Sequence, residues 1–397
     1  MLAARGHRPA VDFFGVKTYG WCRVPHATSA ARPTGIVWVG RPPPNRGVPA
    51  HPLDHSGPPF VNRAVSFSTV PDPRPPRGRD CAAWDVAPLP PTLDRGAAEA
   101  FCRLVAERHY ENFSVVSRLV PPRLRQDFAN VYAFCRWSDD LADEAANPAV
   151  GLAALGRWRA GLDECLDGRP GHPVYVALAA TIRRHALDGR PFHDLLDAFA
   201  EDLAFDRDAV VVRYADREAL LGYCRRSADP VGRIVLGLEG CTDATAVRQA
   251  DAICTGLQLV NFWQDLRRDR LAGRVYVPES ELCRHRVSPD ELAGSRAGPG
   301  LRSLVAAGLD WVAECFATGA PLERTAPVAL RPAISLFRAG GRAIAAAIDR
   351  AGCDTLAARP TVPAPTKARL VLRAMVAVAV GRCRESLLGP LGPAGEG

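Results

Sequence analysis

No stretch of the 397-residue sequence approaches 18 consecutive apolar residues, so no membrane-crossing helix is expected. The N-terminus lacks the basic start, apolar centre and small-residue cleavage site of a signal peptide. The 12 cysteines include no C-x-x-C pair and no Cys/His cluster at metal-binding spacing. A disulfide framework is therefore disfavoured; Cys135, Cys165, Cys224, Cys254 and Cys315 lie in apolar, helix-like context and read as buried free thiols of a reducing, cytoplasmic compartment. There is no dense Lys/Arg block: the net charge of +7 is spread among residues of both signs, which argues against a nucleic-acid partner and leaves an anionic substrate or a membrane surface open. Strand-like alternation is nearly absent, no fixed-period repeat is found, and no Ser-His-Asp arrangement suggests nucleophilic catalysis.

What is present falls into two textures. Residues 1–95 hold 17 of the 35 prolines, in clusters such as Arg41-Pro42-Pro43-Pro44 and Pro73-Arg74-Pro75-Pro76-Arg77. Proline excludes helix interiors and central strands, and no sustained period of 3.6 or 2 survives there. The composition predicts a disordered leader; a transit peptide and a misassigned start are the other readings, the last complicated by Met375 being the only other methionine. From Leu93 onward Ala, Leu, Arg and Glu dominate and helical periodicity is nearly continuous. The expectation is an all-α domain of about ten helices over residues 96–390, including helices at 123–144, 216–238, 244–270, 329–350 and 366–388, with an irregular stretch from Gly273 to Pro278 that includes a β-like Arg274-Val275-Tyr276-Val277.

Two acidic stretches stand out in this domain. In Asp139-Asp140-Leu141-Ala142-Asp143-Glu144, Asp139 and Asp140 lie four and three residues before Asp143, so a helix places all three on one face. Tyr132 and Arg136 sit one to two turns earlier on that face. In the second stretch Asn261, Asp265 and Asp269 form an i, i+4, i+8 ladder that Gln258 extends, while Leu259, Val260, Phe262 and Trp263 between them are apolar and should pack. A carboxylate row repels itself, and a buried one is costly without a partner. One reading is a solvated, salt-bridged helix face. The other is a pair of acidic faces gripping a diphosphate through divalent cations, with Arg136 in direct contact.

These segments carry a resemblance. Tyr132 through Glu144 resembles the first aspartate-rich motif of the squalene/phytoene synthase family. Gln258 through Asp269 resembles its second, Q-x-x-N-x-x-x-D-x-x-x-D. Tyr223 through Gly232 is similar to its Y-C-x-x-x-A-x-x-V-G segment, and His109-Tyr110-Glu111-Asn112-Phe113 to the opening of its domain. The run Ala228-Asp229-Pro230-Val231-Gly232, where carotenoid enzymes usually have A-G-T-V-G, is similar to the bacterial hopanoid branch. The resemblance covers about 105–385.

The resemblance implies an isoprenoid synthase fold: a single all-α domain around a central cavity, with the two acidic helices facing each other at its mouth. It implies that Asp139, Asp140, Asp143, Asn261, Asp265 and Asp269 bind on the order of two or three Mg²⁺ ions. It implies that His109, Tyr132, Arg136, Gln258 and Arg274 contact substrate, and that Arg136, Arg274 and Tyr276 act in catalysis. Asp202, Arg213 and Tyr214 match further family positions. The implied reaction is Mg²⁺-dependent C30 isoprenoid synthesis, in its narrow form presqualene diphosphate plus water giving hydroxysqualene and diphosphate. No G-x-G-x-x-G run follows a strand, which favours this non-reductive form, so NADPH is not expected. Condensation of two farnesyl diphosphates, phytoene synthesis from a C20 diphosphate, a catalytically dead assembly factor, and a plain helical interaction domain are the rival readings. Greasy substrates without a membrane anchor imply peripheral contact with the inner membrane face, beside other enzymes of the squalene pathway.

Overall fold

In a computed structural model of the chain the described residues are 94–109, 118–143, 145–205 and 211–388, excepting the side chains of 108, 109 and 381–388. The expectation for the leader lies outside them. The described α-helices, in order, are α1 (Arg95–His109), α2 (Arg125–Asp143), α3 (Pro148–Leu166), α4 (Pro173–His185), α5 (Arg190–Leu203), α6 (Arg217–Ser227) and α7 (Asp229–Gly237). They continue with α8 (Ala244–Leu271), α9 (Glu279–His285), α10 (Pro299–Gly319), α11 (Leu322–Thr325), α12 (Arg331–Arg350) and α13 (Ala364–Leu388). Short 3₁₀ turns occupy Pro122–Leu124 and Pro289–Ala293. No strand occurs among the described residues, and no described helix is long and apolar enough to cross a membrane. The nine cysteines whose side chains are described are free, as expected; of the five expected to be buried, Cys165, Cys224 and Cys254 are buried and Cys135 and Cys315 half-buried.

Two apolar clusters organise the helices. One joins α1 to α5 around Phe101, Phe134, Trp137, Trp158, Tyr175 and Phe192. The other surrounds α8, packing Phe262 and Trp263 with Tyr223, Tyr276, Val305 and Phe316. At 1.5 Å per residue the 28-residue α8 is about 42 Å long, and most of its surface is buried. Glycine lets α10 approach it closely: a Cβ on Gly308 would lie 2.4 Å from Cε2 of Trp263. Gly308→Val is therefore expected to overpack this contact and cost about 1–3 kcal/mol, read as a lower urea midpoint with unchanged slope.

Three local expectations need correction. The helix expected over 216–238 is two helices, broken at Ala228 (φ −121°, ψ −51°). Pro230 has no N–H to donate to the carbonyl four residues back, and its ring crowds that carbonyl, so the first helix cannot run through it and the run restarts with proline in its first turn. The stretch from Gly273 to Pro278 is irregular, as expected, but its β-like 274–277 has no ladder. It is a buried connector whose Val275, Tyr276 and Val277 plug into the α8 cluster. Its exit is pinned where Glu279 and Ser280 donate backbone N–H groups to the carbonyls of Tyr214 and Ala215 (2.8 and 2.9 Å). The short helices α9 and α11 were not expected, being under the length at which an apolar period declares itself.

The break between α6 and α7 creates an unusual buried acid. Asp229, 3% exposed, accepts a hydrogen bond from Thr255 Oγ1 of α8 at 2.8 Å. Its neighbour Arg233 is engaged by both oxygens of Asp251 (3.0 and 2.8 Å). Burial, reinforced by the Asp251 charge, pushes the Asp229 carboxyl up to about 8. The folded chain thus holds this proton where the unfolded chain has released it. Its contribution to stability is full below the ordinary carboxylate value of 3.8 and declines as pH rises to about 8. Asp229→Asn retains an acceptor for Thr255 and cannot ionise. Across that window its urea midpoint is expected to fall less with pH than that of the wild type.

Candidate active site

The first acidic ladder occupies the last turns of α2, a helix anchored by burial of Phe134, Trp137 and Leu141 on its opposite side. Asp140 is 4% exposed. Arg136, one turn earlier, donates through Nε to Asp140 Oδ2 (3.1 Å), through a second nitrogen to Asp140 Oδ1, and at 3.5 Å to Asp139. Burial of this guanidinium works against its charge, but Asp140 and Asp139 outweigh burial and hold it above its ordinary value. Tyr132 is half-buried on the same helix.

The second ladder lies in the C-terminal half of α8. Gln258, Asp265 and Asp269 are buried, and Asn261 is half-buried. Arg359, in the segment between α12 and α13, grips Asp265 with two parallel bonds: Nε to Oδ1 at 2.6 Å and a terminal nitrogen to Oδ2 at 3.0 Å. That segment is fastened to α8 by Gln264, whose Nε2 donates to the Pro360 carbonyl at 2.5 Å. Asp269 has its carboxyl pushed well above the ordinary range, first by burial and then by the Asp265 charge, against the opposing pull of Arg274, Arg268 and Arg359.

Arg274 joins the two ladders. It follows α8 directly, where its N–H bonds back to the Asp269 carbonyl (2.8 Å), and its guanidinium donates to Asp143 of α2 at 2.9 Å. Helices 131 residues apart in sequence are thereby brought within one ion pair. Asp139, Asp140, Asp143, Asp265, Asp269, Arg136 and Arg274 thus belong to one charged constellation.

Tyr276 lies on the buried connector that follows α8. It is 2% exposed, stacks on Phe262 (centroids 4.2 Å apart, planes at 10°) and donates to Asp202 Oδ1 at 3.0 Å. Tyr223 donates to the same carboxylate at 2.8 Å. Asp202 therefore ties α5, α6 and the connector together behind the second ladder. Tyr214 donates to Glu201 (3.2 Å), and Arg213 lies over the Phe205 ring at 4.7 Å. His109 closes α1, but its side chain lies outside the described residues.

The sequence reading missed Arg359. It stands 94 residues after its partner in an irregular segment, so no helical spacing pairs it with Asp265. The only local sign was an arginine in a stretch with no acidic residue to neutralise it.

The donor set fits an oxygen-loving divalent cation. The five carboxylates outnumber the three guanidiniums that pair with them. Asp265 drives up the neighbouring buried Asp269, and the buried Gln258 Oε1 has no hydrogen-bond partner. Hard cations relieve all three conditions at once. Among the described residues no three acid, imidazole or thiol groups already converge on one point, because arginines hold the ladder carboxylates.

An all-helical domain in which two helices with carboxylate ladders are joined by an arginine–aspartate pair is the architecture of an isoprenoid synthase. The squalene/phytoene synthase pattern matches residues 106–366, and the chain belongs to that family. A crystal structure of squalene synthase HpnC from Alicyclobacillus acidocaldarius is 40% identical with a TM-score of 0.61, covering 66% of this chain and 96% of that one. The hydroxysqualene synthase of Zymomonas mobilis is 38% identical over 192 residues, 47% of this chain and 59% of that protein. The 15-cis-phytoene synthase of Synechococcus elongatus is 30% identical over 203 residues, 48% of this chain and 64% of that protein. The chain thus spans less than two thirds of the length of these two curated relatives. A ligand-bound dehydrosqualene synthase at 22% identity and TM-score 0.64 shares the fold.

Proposed function

We propose that the protein converts presqualene diphosphate and water to hydroxysqualene with release of diphosphate. The observation that carries this reading is the Arg274–Asp143 bridge, which makes the two acidic ladders opposite sides of one site. The higher identity to a hydroxysqualene synthase (38%) than to a phytoene synthase (30%) favours the C30 reaction over the C20 one. The Ala228–Gly232 run supports the same choice.

Ionisation of the substrate's C–O bond places growing negative charge on diphosphate and positive charge on carbon. Arg136, Arg274 and Arg359 present planar, always-charged forks suited to diphosphate oxygens. Asp139, Asp140, Asp143, Asn261, Asp265 and Asp269 would hold Mg²⁺, with Gln258 Oε1 as a further oxygen. Bound Mg²⁺ supplies Lewis-acid neutralisation of the leaving diphosphate. The hydrocarbon end requires water-poor, apolar surroundings, so that the one water admitted adds at a defined carbon and loses its proton. No step consumes a reductant, in keeping with the expectation that NADPH is not needed.

Purified protein incubated separately with farnesyl, geranylgeranyl and presqualene diphosphates, with and without NADPH, tests the reading by mass spectrometry of products. Hydroxysqualene from presqualene diphosphate alone is expected. Phytoene from the C20 diphosphate would establish the rival chemistry instead. Removing divalent cations with EDTA should abolish diphosphate release, and Mg²⁺ added back should restore it.

A further inference from the structure

The last helix carries a surface that the chemistry does not use. Through one side α13 is docked: Leu370, Ala374 and Val378, at i, i+4 and i+8, pack with Ala333, Leu336 and Phe337 of α12 and with Leu119. On the other side Leu372, Met375, Val376 and Val380 are 63%, 42%, 52% and 60% exposed. Their spacing makes one continuous stripe, with exposed Ala368 and Ala379 in line with it. Single exposed apolar residues are ordinary. Here four of the nine large apolar side chains exposed among the described residues share one helix face, which marks an interaction surface.

Charge identifies the occupant. Arg369 and Arg373, one turn apart and both exposed, form one shoulder of the stripe. No Asp or Glu occurs from 355 to 384, and although Arg359 in that span is taken by Asp265, Arg369 and Arg373 stand on the exposed side of α13. An aliphatic stripe with two exposed arginines beside it suits a helix lying in the plane of an anionic lipid surface. Its apolar face enters the acyl boundary while guanidiniums reach headgroup phosphates. A second copy of this chain packed through the same face would bring Arg369 and Arg373 against their own counterparts.

We propose that α13 docks the protein side-on to anionic lipid bilayers. The proposal rests on this face alone, and its readout needs no substrate, so it stands or falls separately from the proposed reaction.

The full chain is mixed with phosphatidylcholine vesicles, or with phosphatidylcholine–phosphatidylglycerol vesicles, and sedimented. Binding to the anionic vesicles, weakening with added salt and absent from pure phosphatidylcholine, is expected. The double variant Leu372→Glu/Val376→Glu should bind the anionic vesicles about tenfold more weakly or worse, and Arg369→Glu/Arg373→Glu should lose the salt-sensitive part. Unchanged far-ultraviolet circular dichroism checks that both variants fold, as substitutions at exposed positions should. Three results would overturn the proposal. The wild type stays in the supernatant with both vesicle types. Both variants sediment like the wild type. Or the wild type binds no vesicle and is a dimer that Leu372→Glu/Val376→Glu converts to monomer, so that a second copy covers the stripe.

Discussion

Asp265→Ala is expected to lower kcat by about a thousandfold while leaving helical content intact. Asp265 stands at the middle of the α8 ladder, held by both nitrogens of the Arg359 fork. Truncation removes two oxygens from the proposed cation site and the anchor that positions Arg359. It also removes the charge that raises Asp269, so the remaining carboxyl ionises more easily but stands alone. Arg359 is partly exposed at 26% and can be solvated, so the loss should fall on chemistry rather than on folding. Steady-state kinetics beside circular dichroism checks both parts. Turnover that survives with a native spectrum would remove the α8 ladder from the reaction.

Arg274→Gln is expected to lower kcat by about a hundredfold. The guanidinium bridges to Asp143 across the site and opposes the rise of Asp269. Glutamine keeps much of the length and a hydrogen-bond donor but loses the charge, so both ladders would have to tolerate more repulsion. A positioning role predicts that Asp143→Asn has a similar effect and that the double variant is little worse than either single one. Direct contact of Arg274 with diphosphate predicts a larger loss for Arg274→Gln, with KM for the substrate raised as well. Arg274→Lys should recover only part of the activity, since an ammonium cannot reproduce the planar fork.

The parts of the site on single helices were legible in the sequence. Asp139, Asp140 and Asp143 share a face by spacing, as do Asn261, Asp265 and Asp269, and regular helices α2 and α8 preserve that spacing in space. Pairings that cross irregular backbone were not legible. Arg359 reaches Asp265 from the segment between α12 and α13, and Tyr223 and Tyr276 converge on Asp202 from α6 and the connector after α8. Such pairings depend on tertiary packing, for which a sequence period carries no signal. The break at Ala228 was signalled by Pro230, but the continuous apolar pattern on either side of it favoured a single helix.

The most direct test of the account is the fate of oxygen during turnover. Purified protein is given presqualene diphosphate and Mg²⁺ in ¹⁸O-labelled water without NADPH, and both products are measured by mass spectrometry. One diphosphate released per hydroxysqualene formed, with the label in the hydroxyl group, is the expected result. No diphosphate release from presqualene diphosphate, or a hydroxyl group without label, would contradict the proposed reaction.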